Sequence, residues 1–235
     1  MGLKSLSNSN LTKTMLIRTL GSLITTGTVL FISAGTLNWR EGWFLLVSLY
    51  SEALILGFWL SKNDPGLLRE RLKPLIQKSQ ERWDRFYMAG TISLYFIWIA
   101  VTALDVKRFQ WTRVPESLQY VGGAAALFSM AVIFFAFREN TFAAPVVKIQ
   151  EGRGHKVIST GPYRLVRHPM YTGISLLLLG APLFLGSWWG VGIGAFKILS
   201  LGARAVGEED TLKTKLEGYS QYCEKVHFRI LPWVW

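Results

Sequence analysis

Four long apolar runs dominate the first part of the chain. They extend over residues 19–37, 43–60, 86–104 and 117–137, and Glu52 is the only charged residue in any of them. A helix needs roughly 20 predominantly apolar residues to cross a hydrocarbon core of about 30 Å. Each run therefore predicts a membrane-spanning helix.

A fifth apolar stretch, residues 169–196, contains Pro182 and Gly186. These two residues predict a helical hairpin, over about 171–184 and 188–203, that is broken at both positions. At about 1.5 Å per residue the first arm is too short to cross a bilayer, and short intramembrane helices are tolerated where they line a protein cavity. We therefore predict an all-α polytopic membrane helix bundle with about four spanning helices plus a C-terminal broken hairpin. That makes five to six membrane segments, with a cofactor pocket on the cytoplasmic face.

Polar residues concentrate between the apolar runs. The basic segment 61–85 carries leucines at roughly helical spacing, which suits either an interfacial amphipathic helix or a solvated loop. Residues 138–170 are polar and rich in Gly and Pro. The chain accordingly divides into N-terminal membrane helices, residues 1–137, and a C-terminal region, residues 138–235, with a loop, the hairpin and a cytoplasmic cap.

The net charge of +11 reflects membrane topology rather than nucleic-acid binding. Twenty-one of the 26 Lys and Arg residues, Lys4 among them, share one side of the membrane if the N-terminus is inside, and four lie in the opposite loops. Positive residues favour the cytoplasmic side, so both termini are predicted to be cytoplasmic. A single cysteine, Cys223, excludes an internal disulfide and a cysteine-based metal cluster. We expect the lipid bilayer as a partner, and no nucleic acid or metal.

The segment from Gly161 to Gly173, GPYRLVRHPMYTG, is unlike an ordinary juxtamembrane loop. Two prolines restrict its backbone, and aromatic, cationic and imidazole side chains lie between two glycines. Pro169 suits the first position of a helix, whose free amides can meet a polar ligand. Further on, Glu208, Glu209 and Asp210 form an acidic run at a helix end. Carboxylates there can bind ribose hydroxyls or a ligand cation, although Arg204, four residues before Glu208, can also pair with it.

These motifs occur together in one order. They are His155, Gly161-Pro-Tyr163, Arg167-His168-Pro169-x-Tyr171-x-Gly173, Glu208-Glu209-x-x-Leu212 and Gly218-Tyr219-x-x-Tyr222-x-x-x-Val226 with Pro232. From about residue 140 onward the chain resembles the isoprenylcysteine carboxyl methyltransferase family, which is grouped with the phospholipid N-methyltransferases. Residues 1–135 resemble that family only as a set of membrane spans.

The resemblance implies S-adenosylmethionine as the methyl donor and a carboxylate (prenylcysteine-like) or other lipid-like acceptor. The cofactor-binding residues that it implies are Tyr163, His168, Pro169, Tyr171, Gly173, Glu208 and Glu209. Methyl transfer depends on alignment and on the exclusion of water, and a carboxylate acceptor needs no base. We expect Arg167 or Arg204 to orient an acidic acceptor as the catalytic residue, and His155 to order the loop.

Two other functions stay open at this point. A membrane reductase of the sterol-reductase type would use NADPH, although no second basic cluster is evident for its 2′-phosphate. The other is a non-enzymatic membrane scaffold or transporter component. Intramembrane charge is limited to Glu52 and Lys197, which is too little for an obvious ion path. We predict that Glu52 forms a structural pair with Lys197 or with a hydroxyl group.

Overall fold

The computed structural model describes residues 8–235, so the predicted contribution of Lys4 to the inner charge lies outside it. The described residues are helical and contain no strand. Eight α-helices follow one another in the order α1 (Asn8–Ala34), α2 (Arg40–Asn63), α3 (Pro65–Arg71), α4 (Arg82–Ala103), α5 (Glu116–Glu139), α6 (Pro169–Leu185), α7 (Trp188–Lys215) and α8 (Tyr219–Lys225).

Five helices are long and apolar enough to cross a membrane: α1, α2, α4 with its π-helical extension Leu104–Phe109, α5 and α7. Helix α6 is also apolar but shorter. The prediction of a polytopic all-α bundle with a short first hairpin arm is confirmed. Helix α7 is longer than predicted because it continues to Lys215, and it therefore carries the acidic run on a regular helix.

The predicted break at Pro182 is wrong. Helix α6 continues through Pro182 to Leu185, and the turn is made by Gly186, whose φ is 101° and whose N–H donates to the carbonyls of Pro182 and Leu183. Proline cannot donate to the carbonyl four residues earlier, here that of Leu178. The α7 backbone passes over this carbonyl at Gly194, where a Cβ would lie 2.2 Å from the Leu178 oxygen. The hairpin is thus closed by backbone contact.

Helices α5 and α6 pack backbone to backbone. A Cβ added at Gly122 of α5 would lie 2.6 Å from the Phe184 nitrogen, and one at Gly180 of α6 would lie 2.8 Å from the Ala126 nitrogen. Small residues permit such close packing of membrane helices. This contact joins the N-terminal part of α5 to the C-terminal part of α6.

The basic segment contains the short helix α3. Asp64 caps it by accepting a hydrogen bond from the Leu67 N–H at 2.8 Å. Leu67 and Leu68 are buried against Leu11 and other apolar residues of α1 and α2. Of the two predicted alternatives for this segment, the helix is present over residues 65–71.

Candidate active site

A cleft opens at the end of the bundle where the 138–170 segment, the start of α6 and the end of α7 meet. It encloses about 850 Å³ of space, including its open mouth. Its walls include Phe142, His155, Tyr163, Tyr171, Arg204 and Glu208. The structure therefore brings both predicted motifs, the Gly161–Gly173 segment and the acidic run, to one cavity.

The Gly161–Gly173 segment is held by the C-terminal tail. The backbone N–H groups of Arg167 and His168 donate to the carbonyls of Phe228 and Arg229 at 2.9 and 2.8 Å. Pro169 then occupies the first turn of α6. The His168 ring stacks on that of Tyr171, with centroids 5.1 Å apart and planes at 11°. The tail and the helix start together determine where these two rings lie.

Glu209 is the centre of a buried ion cluster and is 1% exposed. Its Oε1 accepts hydrogen bonds from Arg167 Nε at 2.7 Å and lies 3.2 Å from His168 Nε2. Its Oε2 accepts from Arg167 Nη2 and Arg229 Nε, each at 3.1 Å. Both oxygens of Glu209 are therefore bonded within the protein.

Arg167 likewise makes its hydrogen bonds within the protein. Its Nη1 donates to the carbonyls of Val226 and His227 at 2.6 and 2.9 Å. Burial of Arg167 opposes its charge, but hydrogen bonding to Glu209 outweighs this and raises its pKa. Arg167 contributes to the cleft wall, yet all its nitrogens have protein acceptors.

Glu208 faces the cleft itself, and its side chain is 27% exposed. The Tyr171 hydroxyl donates to its Oε2 at 2.5 Å, and His168 Nδ1 lies 4.0 Å from the same oxygen. The hydrogen bonds among residues 8–235 leave Oε1 of Glu208 without a protein donor. The two adjacent glutamates thus differ: one binds the protein and the other presents an oxygen to the cavity.

Arg204 does not pair with Glu208, the alternative that its spacing suggested. Its Nε donates to Asp84 Oδ1 at 2.9 Å, and its Nη2 donates to the Pro145 carbonyl at 2.9 Å. Asp84, at the start of α4, is fully buried and also accepts from Gln80 Nε2 and the Val147 N–H. In the described part of the chain, Nη1 of Arg204 has no acceptor.

Asp84 was missed by the sequence reasoning. It stands 120 residues before Arg204, in a basic stretch that looked like a topology marker. A carboxylate at a helix start is also explained by the helix dipole, so no local pattern separates the two roles.

Aromatic and aliphatic side chains share the remaining cleft wall. Burial raises the pKa of the Tyr163, Tyr219 and Tyr222 hydroxyls, so these phenols are neutral at pH 7. Burial against Phe142 lowers the pKa of His155 to about 4, and its ring is therefore also neutral. The Lys and Arg residues of the lining are Arg204, Arg167, Lys148 and Lys156, and of these Arg167 and Lys148 are paired with the protein carboxylates Glu209 and Glu70.

Three residues expected to bind the cofactor lie away from the cleft wall, namely Glu209, Gly173 and Pro169. A Cβ at Gly173 would meet Ile133 and, at 2.9 Å, the Ser129 carbonyl of α5. Gly173 therefore packs α6 on α5. Pro169 is fully buried at the start of α6.

Comparison with known proteins agrees with this arrangement. Residues 118–216 match the family model described as phospholipid methyltransferase, a range that runs from α5 to the end of α7 and includes Tyr163, Arg167, His168, Glu208 and Glu209. No curated protein matches the chain significantly. Residues 8–235 contain no group of three or more His, Cys, Asp or Glu side chains that could hold a metal ion. Residues 118–216, somewhat less than half of the chain, are thus similar to the phospholipid methyltransferase family, which is consistent with the isoprenylcysteine and phospholipid methyltransferase group.

Proposed function

We propose that the protein transfers a methyl group from S-adenosylmethionine to a lipid-like acceptor in the cleft. The observation that supports this most directly is Glu208, whose free oxygen faces a cavity that the aromatic rings of Tyr163 and Tyr171 also line. A carboxylate suits the ammonium group or the ribose hydroxyls of the donor. The rings of Tyr163 and Tyr171 suit its sulfonium cation.

Bound S-adenosylmethionine supplies an electrophilic methyl group. The protein's residues then have to bind and orient the reactants and exclude water from the site, because an in-line displacement depends on alignment. In this proposal Glu208, Tyr171, Tyr163 and His168 bind the donor. Glu209 holds this part of the cleft wall in place through its ion pairs with Arg167, His168 and Arg229.

Arg204 is the residue that we assign to the acceptor. Its Nη1 is free for a hydrogen bond while Asp84 fixes the rest of the guanidinium. An acidic acceptor, such as a carboxylate of the prenylcysteine type, would place one oxygen on this nitrogen and attack with the other. Arg167, predicted from the sequence as the alternative for this role, becomes a positioning residue because its donors are already bonded.

Met170 supports a lipid-like rather than a water-soluble acceptor. It lines the cleft and also packs on the apolar cluster that contains Leu60, Phe137 and Ala143. An acceptor with an apolar chain would therefore meet apolar protein next to the polar site. Lipid-like molecules reach such a surface from the bilayer.

Calorimetry with S-adenosylhomocysteine on detergent-purified protein tests donor binding. We expect saturable binding that Glu208→Gln weakens and that Asp210→Asn, an exposed neighbour outside the cleft wall, leaves unchanged. Absence of binding to the wild-type protein would refute the proposal. Binding of NADPH instead would favour the reductase. Incubation with methyl-labelled S-adenosylmethionine and membrane extracts would then identify the acceptor.

We further propose that both termini are cytoplasmic, and Cys223 allows a direct test. It is the single cysteine of the chain, lies in α8 and is partly exposed. A membrane-impermeant maleimide should label it in inside-out vesicles and leave it unlabelled in intact cells. Labelling in intact cells would contradict this orientation.

A further inference from the structure

A second cavity lies within the membrane-spanning part of the bundle, between α2 and α5. It forms because the face of α5 that carries Gly122 packs on α6, whereas α2 packs on α1. The groove holds about 970 Å³ of space and is lined by apolar residues such as Leu56, Leu127, Met130 and Phe134. It is separate from the active-site cleft, whose lining shares none of these residues.

Glu52 is the one ionisable group in this groove. It stands 11 residues before the end of α2 at Asn63, which places it about 16 Å below the cytoplasmic end of that helix. Its Oε2 is buried and has no hydrogen-bond partner. A buried polar atom without a partner is costly, and an ionisable residue at this depth usually faces a ligand or a partner.

Residues 8–235 supply no hydrogen-bond partner for this atom. The predicted pair with Lys197 is wrong, because Lys197 donates to the Thr91 carbonyl of α4 at 3.4 Å. Along α2, Ser48 lies one turn before Glu52 and borders a small side cavity with it. Across the groove, α5 presents only apolar side chains to the carboxyl group.

We propose that this groove binds a membrane-soluble amphiphile whose amine pairs with Glu52. The choice of an amine follows from charge complementarity. A proton passes from the Glu52 carboxyl to the amine nitrogen, and the resulting ammonium and carboxylate neutralise each other where neither ion is stable alone. The apolar chain of the amphiphile fills the groove beside Leu56 and Phe134. This inference does not depend on methyl transfer.

The test uses the full-length protein in nanodiscs of phosphatidylcholine, a lipid without a primary amine. Octadecylamine and octadecanol serve as probes with the same chain and different head groups. We expect octadecylamine to raise the melting temperature of the wild-type protein through preferential binding to the folded state. The effect should be lost in Glu52→Gln and kept in Glu41→Gln, a carboxylate change at the outer end of the same helix.

Infrared difference spectra report the proton transfer itself. Octadecylamine should remove a protonated-carboxyl band from the wild-type spectrum and change nothing in Glu52→Gln. An equal melting shift with octadecanol would overturn the choice of an amine. Unchanged wild-type spectra, or a Glu52→Gln protein that still responds, would overturn the site. Failure of S-adenosylhomocysteine binding would affect none of these outcomes.

Discussion

Glu208 and Glu209 are adjacent in sequence, and the structure predicts opposite consequences for their replacement by glutamine. Glu209→Gln removes the charge from a buried cluster with Arg167, His168 and Arg229. Breaking a buried ion pair by removing one partner costs about 3–5 kcal/mol, because the other charge stays buried. We therefore expect the free energy of unfolding to fall by about 3 kcal/mol or more.

Glu208→Gln changes a side chain that is 27% exposed and accepts one hydrogen bond, from Tyr171. The expected loss of stability is below about 1 kcal/mol, since glutamine can still accept this bond. The main effect of Glu208→Gln is expected on ligand binding. Loss of a hydrogen bond to a charged group costs about 1.5–3 kcal/mol, so S-adenosylhomocysteine should bind roughly 10- to 100-fold more weakly.

Two measurements on the same detergent preparations separate the variants. Unfolding monitored by tryptophan fluorescence gives stability, and calorimetry gives the dissociation constant. A Glu209→Gln protein that is as stable as the wild type yet loses binding would show instead that Glu209 contacts the ligand. A Glu208→Gln protein that binds S-adenosylhomocysteine as tightly as the wild type would contradict the role assigned to Glu208.

Three further predictions concern packing, the second ion pair and pH. Gly194→Ala should destabilise by about 1–3 kcal/mol in thermal unfolding, because its Cβ would lie 2.2 Å from a carbonyl, whereas Gly192→Ala, with open space around it, should not. Asp84→Asn should destabilise by about 3 kcal/mol by leaving Arg204 buried and unpaired, and an effect below about 1 kcal/mol would contradict the pairing. His155 has its pKa lowered to about 4 by burial, so the unfolded chain takes up the proton first. Stability should then fall as the pH drops from about 6.5 to about 4, and His155→Gln should flatten that part of a melting-temperature profile.

Much of the fold was predictable because hydrocarbon imposes a simple rule on sequence. A spanning helix must be apolar over its length, so the runs at 19–37, 43–60, 86–104 and 117–137 identify α1, α2, α4 and α5 directly. The end of α7 was harder to locate, because the helix leaves the apolar region and continues as a polar helix to Lys215.

Side-chain partners were less predictable, for a geometric reason. Arg204 pairs with Asp84 across 120 positions, and Glu52 Oε2 has no hydrogen-bond partner among the described residues 8–235, because each outcome depends on how helices rotate about their axes. Hydropathy constrains the length and depth of a span but constrains rotation only weakly when most faces are apolar. The close α5–α6 contact, which leaves the groove beside α2, arises from backbone proximity at Gly122 and Gly180.

The acidic run could be found from the sequence, but the different roles of Glu208 and Glu209 could not. Successive residues of an α-helix point about 100° apart, and here Glu208 lines the cavity whereas Glu209 turns toward the protein. A carboxylate buried in the protein requires cations. Arg167 and Arg229 supply them, and the same bonds hold the Gly161–Gly173 segment and the tail against α7. The glutamate that faces inward therefore organises the wall on which the other one presents its free oxygen.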